Sequence, residues 1–204
     1  MARIDDYKRA REIAVERLAG MDPAAWIQRT GFPYEADGSL IIPFFDRRYR
    51  VRLPEFDFSD PADPERAVPL QEQVLILHYL LSGNPQLCSG SWIAYREIPG
   101  AAFYFSAFVK RAIDPLKKTF GDEPGRLSAV ARRIGAQAIE TGDAGFEFAV
   151  FPGVALQVIL WGGDDEFGPE ASILFQETIG EVFTPEDAAW LAGMLVYRLI
   201  ALSR

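Results

Sequence analysis

Histidine and cysteine are almost absent: His78 and Cys88 are the single residues of their kind in 204. One cysteine excludes an intramolecular disulfide, and it excludes zinc or iron–sulfur sites built from the thiolates of this chain alone. One histidine leaves no pair of imidazoles for a metal, and no nucleophile–base signature accompanies it. Positive charge is also in deficit. Lys and Arg number 21 against 29 Asp and Glu, for a net charge of −8 and a pI of about 4.8. That balance argues against nucleic acid or an anionic membrane as a partner. The opening residues, Met1 to Lys8, are charged and contain no apolar stretch, so no secretory signal is expected. The apolar run at the other end, Ala188 to Leu202, falls short of the ~20 residues that span a bilayer. Together these features predict a reduced, cytoplasmic protein.

What is present is ordinary globular composition, 49% hydrophobic and 25% charged, with mean hydropathy near zero. The patterning predicts a single compact α+β domain over residues 1–204, a mainly antiparallel sheet of hairpins packed against several helices. Residues 4–19 carry Ile4, Tyr7, Ala14 and Leu18 on one helical stripe, with Lys8, Arg9, Glu12 and Glu16 outside. Asp22-Pro23 has the form of a helix cap followed by a first-turn proline, and Gly31 closes that short helix. Leu40–Phe45 and Arg48–Leu53 read as a hairpin around Asp46-Arg47. Its second strand sets Tyr49, Val51 and Leu53 on one face and Arg48, Arg50 and Arg52 on the other. The proline-punctuated stretch Pro54–Pro69 reads as a loop.

Leu70–Ser82 is apolar around most of its circumference and predicts a buried helix stopped by Gly83-Asn84-Pro85. His78 rides on it as a core residue, a relay or a lone ligand. Trp92–Ile98 reads as a strand turned by Pro99-Gly100 onto Ala101–Phe105. Trp92 and its aromatic neighbours form a wall able to stack on a planar ligand, with Arg96 and Glu97 at its edge. Ser106–Ile113 predicts a helix that Asp114-Pro115 kinks towards Phe120, and Arg126–Ile134 a shorter one. Three strands follow at 146–151, 154–161 and 171–176. Thr184-Pro185-Glu186-Asp187 then opens a final helix that carries one charge, Arg198, beyond its first turn.

The loop between the last two strands is the most distinctive stretch. Gly162, Gly163, Gly168 and Pro169 frame four carboxylates, Asp164, Asp165, Glu166 and Glu170. Its Gly-Gly-Asp-Asp-Glu-Phe order is similar to the hairpin signature of diguanylate cyclases, with one acid too many. An added residue reverses the face of every later side chain unless a bulge absorbs it. The upstream segments of that enzyme are missing as well, so the cyclase reading is excluded. As a binding surface, the loop would act with Arg48, Arg50, Arg96, Trp92 or His78. If a divalent metal were held, Asp164, Asp165 and Glu166 would be its hard oxygen ligands.

Four phrases taken together, Val68–Leu81, Trp92–Gly100, Leu160–Phe175 and Thr184–Asp187, resemble an uncharacterised family of anaerobic bacteria and archaea, domain of unknown function thirty-seven eighty-six. The resemblance covers nearly the whole chain. It implies an accessory role near corrinoid or anaerobic redox metabolism and transfers no active-site residue. The expected function is therefore a non-catalytic domain that binds a small molecule or protein partner of unknown identity, with the cofactor unknown. The alternatives are a homo-oligomeric assembly protein using the apolar last helix, and a divalent-metal enzyme acting on an anionic substrate.

Overall fold

A computed structural model describes residues 4–82 and 90–204. The chain falls into two compact units, Met1–Gln86 and Leu87–Arg204. Both mix helices with antiparallel strands, the α+β class that the patterning predicts.

The first unit opens with α1 (Ile4–Ala19), which turns Tyr7, Ala14 and Leu18 inward. Ile4, expected on that stripe, is 61% exposed at the start of the helix, where Asp5 and Asp6 are exposed as well. In α2 (Pro23–Thr30) the Asp22 carboxylate accepts the Ala24 N–H at 3.1 Å, and Gly31 closes the helix at φ 65°. Strands β1 (Ser39–Phe44), β2 (Arg47–Arg52) and β3 (Asp57–Ser59) form a sheet in that order. The first turn falls one residue earlier than expected, on Phe45-Asp46. Phe45 takes φ 52°, which lets Phe44 pair directly with Arg47.

The stretch 54–69 is not loop throughout, since β3 adds to the sheet through Val51↔Phe58 and an Arg52–Asp57 ion pair of 3.0 Å. Phe56, just before β3, holds φ 55°, a conformation that side-chain-bearing residues rarely adopt. Arg11 pins it, donating to the Phe56 carbonyl at 2.7 Å and to Gln73 Oε1 at 2.8 Å. The unit ends in α3 (Leu70–Ser82), which packs on α1 and buries Val74 to Leu77, Tyr79 and Leu80. The helix stop at Gly83-Asn84-Pro85 and Cys88 lie outside the described residues.

The second unit is built on a five-stranded antiparallel sheet of β4 (Trp92–Ala94), β5 (Gln137–Ala138), β6 (Ala144–Phe151), β7 (Val154–Trp161) and β8 (Glu170–Gln176), in the order β4-β8-β7-β6-β5. Gly153, at φ 76°, makes the two-residue turn between β6 and β7, and a register shift between Ala149 and Phe151 bulges the strand beside it. The helices are α4 (Phe105–Phe108), α5 (Asp114–Phe120), α6 (Pro124–Arg133), α7 (Ile179–Val182) and α8 (Pro185–Leu202). A π-helical turn, Val109–Ile113, joins α4 to α5. Pro115 has no N–H for the Arg111 carbonyl, so the regular ladder breaks one turn before it and the looser spacing takes over.

Ala101–Phe105 is not the strand partner of Trp92–Ile98. Only Trp92–Ala94 is extended, and it pairs with β8. Glu97 Oε2 accepts the Ala94 N–H at 2.6 Å and coils Tyr95–Glu97 into a 3₁₀ turn. The Tyr95 hydroxyl donates to the Pro185 carbonyl at 2.7 Å, which draws the chain off the sheet. Thr184 caps α8 as predicted: its hydroxyl accepts the Asp187 N–H at 3.2 Å, and Asp187 Oδ2 accepts the Thr184 N–H at 3.1 Å. The apolar body of α8, from Ala188 to Leu199, is largely buried. No helix among the described residues is long and apolar enough to cross a membrane.

Candidate functional site

The acidic loop between β7 and β8 is held chiefly by its own backbone. Asp164 Oδ1 accepts the N–H groups of Glu166 (2.9 Å) and Phe167 (2.7 Å), and the Asp164 N–H donates to the Phe167 carbonyl at 2.9 Å. Those two amides favour the charged form and hold the Asp164 carboxyl below its ordinary range. The loop is seated on the α5–α6 junction: the Gly163 N–H donates to the Gly121 carbonyl at 3.2 Å, and Lys117 Nζ reaches Glu170 Oε1 at 3.1 Å. At its start, Asp143 Oδ2 accepts the Gly162 N–H at 2.7 Å. Asp165 and Glu166 are exposed. No three Asp, Glu, His or Cys side chains among the described residues group as metal ligands. The loop spends its first carboxylate and its last on structure.

Arg48, Arg50 and His78 belong to the first unit, whereas Trp92, Arg96 and the loop acids belong to the second. On β2 the alternation is as read for Tyr49 and Val51, which are buried, and for Arg48, Arg50 and Arg52, which are outside, while Leu53 lies past the end of the strand and is half-buried. Arg50 lies 3.8 Å from Asp37 and Arg52 pairs with Asp57, so the row meets acids of its own unit, while Arg48 stays exposed. His78 is half-buried on α3, between the fully packed Leu77 and Tyr79. Trp92 is half-buried on β4.

Residues that the sequence does bring together meet at the end of β4. There a cleft of about 280 Å³ opens between the 3₁₀ turn at Tyr95–Arg96, the helical wall of Phe105, Val109 and Ile113, and the start of β8. Its floor is aromatic: Tyr95 stacks on Phe108 with centroids 4.2 Å apart and planes 4° from parallel, and both abut Phe175. Burial pushes the Tyr95 hydroxyl up to about 12, so it stays neutral and donates to Pro185. At the rim, the exposed Arg96 guanidinium lies 3.8 Å from the centroid of the Phe105 ring. Stacking covers the flat face of a guanidinium and leaves its N–H edge for an anion. The cleft begins at Ala171, next to Glu170, so the acidic loop ends at its mouth.

Of this site, the sequence points to Arg96 and the aromatic cluster. It does not point to Val109, Ile113 or the first half of β8, whose roles depend on a π turn and on where β4 stops. The Asp114-Pro115 pair is the one signal for that turn.

No curated protein and no solved structure matches the chain. A family model matches residues 22–198, most of the chain and parts of both units, and it includes the cleft, the acidic loop and most of α8. The chain therefore belongs to the family described as Domain of unknown function (DUF3786).

Proposed function

We propose that this chain is a non-catalytic binding module, a single functional domain whose contact surface is the cleft at the end of β4. The observation that carries the reading is the Arg96 guanidinium laid on Phe105 over an apolar hollow. Such a mouth suits a molecule or segment with an apolar body and an anionic group, because the charge stays at the wet rim while the body leaves water. A cytoplasmic accessory role near corrinoid or anaerobic redox metabolism is the setting that the family resemblance implies.

The other readings have less support. An assembly surface on α8 would need its apolar side, and Ala188, Leu191, Leu195 and Leu199 are already buried within their own unit. A metal enzyme would need the loop acids to converge, and Asp164 is turned back onto its own backbone.

The test is titration of the ¹⁵N-labelled protein with 3-phenylpropionate, an apolar-bodied carboxylate. Saturable shifts confined to Arg96, Phe105, Val109 and Ile173, reduced at least tenfold in apparent affinity by Arg96→Ala, are the expected result. Shifts that are absent, or that survive Arg96→Ala unchanged, would overturn the cleft as the binding surface.

A further inference from the structure

One wall of this cleft is a sheet edge, and the pairing register leaves part of it without a strand partner, although Ile173 there is only 2% exposed. β7 pairs with β8 over Glu170–Phe175, whereas β4 covers only Leu174–Gln176. No strand among the described residues lies beside Glu170–Ile173 on the β4 side. The Glu177 N–H donates to the Ser91 carbonyl at 3.0 Å, so the backbone groups of Glu177 face β4. Alternation along a strand then turns those of Phe175, Ile173 and Ala171 the same way. Phe175 is opposite Ile93 of β4, while Ile173 and Ala171 lie beyond the end of β4, where the cleft begins.

The remaining walls fit this edge. Across from it stand the helical side chains Phe105, Val109 and Ile113, and at the end where β4 leaves the sheet stands the Arg96 guanidinium. An unpaired ladder facing an apolar helical wall is a groove for one more strand, in which backbone bonds supply affinity and side-chain hollows supply selectivity. The single cation at its closed end adds a preference for a carboxylate.

We propose that the cleft receives an extended peptide segment, which pairs with the strand-free edge of β8 at Ala171 and Ile173 and sets a carboxylate on Arg96. This inference rests on the cleft being the binding surface, and it adds the class of occupant. The segment is short, about three residues in the ladder, since Glu170–Ile173 is all that β4 leaves free. It carries a β-branched or aromatic residue against Val109 and Ile113. Its carboxylate is either the peptide's own C-terminus or an aspartate or glutamate side chain.

The experiment uses the full chain and pools of N-acetylated pentapeptides that alternate threonine with valine, isoleucine, leucine, phenylalanine or tyrosine. One pool ends in a free carboxylate, a second is amidated, a third is amidated with an aspartate near either end, and a fourth has the free carboxylate but N-methylated alternate amides. The readouts are hydrogen exchange and ¹⁵N shifts at Ala171 and Ile173. The expected result is exchange slowed at least tenfold by the first or third pool. The second and fourth pools should bind at least tenfold more weakly, and Arg96→Ala should remove the preference for carboxylate. Superiority of the first pool identifies a C-terminus, and superiority of the third a side chain. Equal binding by the N-methylated pool, or binding that leaves Ala171 and Ile173 unprotected, would overturn strand addition. Binding of 3-phenylpropionate at the cleft with no pool bound would overturn the peptide and leave the binding surface standing. If nothing binds there, both fall.

Discussion

Gly121 and Pro169 are in direct contact: a Cβ built on the glycine lies 2.5 Å from the proline Cβ and 2.5 Å from the Lys117 carbonyl oxygen. No real side chain fits that space, so this glycine is what allows the acidic loop to settle on the α5–α6 junction. Gly121→Ala is expected to lower stability in urea by about 1–3 kcal/mol through overpacking. Gly125→Ala, with nothing within 4 Å of its added carbon, should be neutral or slightly stabilising. Equal stability of the two variants would mean that the loop yields without cost.

Asp164 organises the loop from an exposed position. Its carboxyl is held below the ordinary 3.8 by the Phe167 and Glu166 amides. Because the folded value is the lower one, the ordering is fully present above pH 3.8 and is lost as pH falls through that lower value. Amide exchange at Glu166 and Phe167, followed between pH 6 and pH 2.5 after correction for the intrinsic rate, should show protection declining only below about pH 4. Asp164→Ala should abolish that protection at every pH, while Asp165→Asn and Glu166→Gln leave it intact.

Tyr49, Tyr79 and Tyr95 are all pushed up to about 12 from 10.0, in each case chiefly by burial. A raised folded value means that their contribution is complete below pH 10 and drains away as pH rises towards 12. Stability measured by urea titration should hold to about pH 10 and then fall, with protons released on unfolding. Phenolate absorbance should show at least these three of the seven tyrosines ionising late. Ionisation of all seven in one step near pH 10 would contradict the burial of these rings.

Arg47, Tyr49 and Glu72 form a closed polar group in the first unit. The Tyr49 hydroxyl donates to Glu72, Arg47 Nη1 donates to that hydroxyl at 3.0 Å, and Arg47 lies 3.6 Å from Glu72. With the two charged side chains only 16% and 14% exposed, Glu72→Ala strands a cation and a hydroxyl together. A loss of about 2–4 kcal/mol is expected. Tyr49→Phe should cost about 1–2 kcal/mol, and the double variant less than the sum. Additive losses in a thermal or urea cycle would show that the three side chains act separately.

Much of the fold is legible because its signals are local. Asp22-Pro23, Gly31 and Thr184-Pro185-Glu186-Asp187 mark helix ends through bonds made within a few residues, and Tyr49 and Val51 alternate with arginines because a strand has period two. The acidic loop is readable for the same reason, since glycines and a proline bound it. Ala101–Phe105 and the end of β4 are not local matters. The former has the composition of a strand, but a hydroxyl bond from Tyr95 to Pro185, 90 residues on, takes the chain off the sheet. Likewise the arginines of β2 give no hint of which acids they meet, because Asp37 and Asp57 reach them only through the folded turns.

The sequence by itself thus determined the class of fold, most helix boundaries, the three long strands of the second unit and the family. The fold class, the helix boundaries and the strands depend on composition, periodicity or capping within one segment, and the family on several phrases spread along the chain. Only the tertiary structure decided that Arg96 lies on Phe105, that Asp164 serves its own loop, and that β8 outruns β4 to leave Ala171 and Ile173 facing a cleft. Those relations join residues far apart in the chain, and strand register and close packing, rather than local preference, set them.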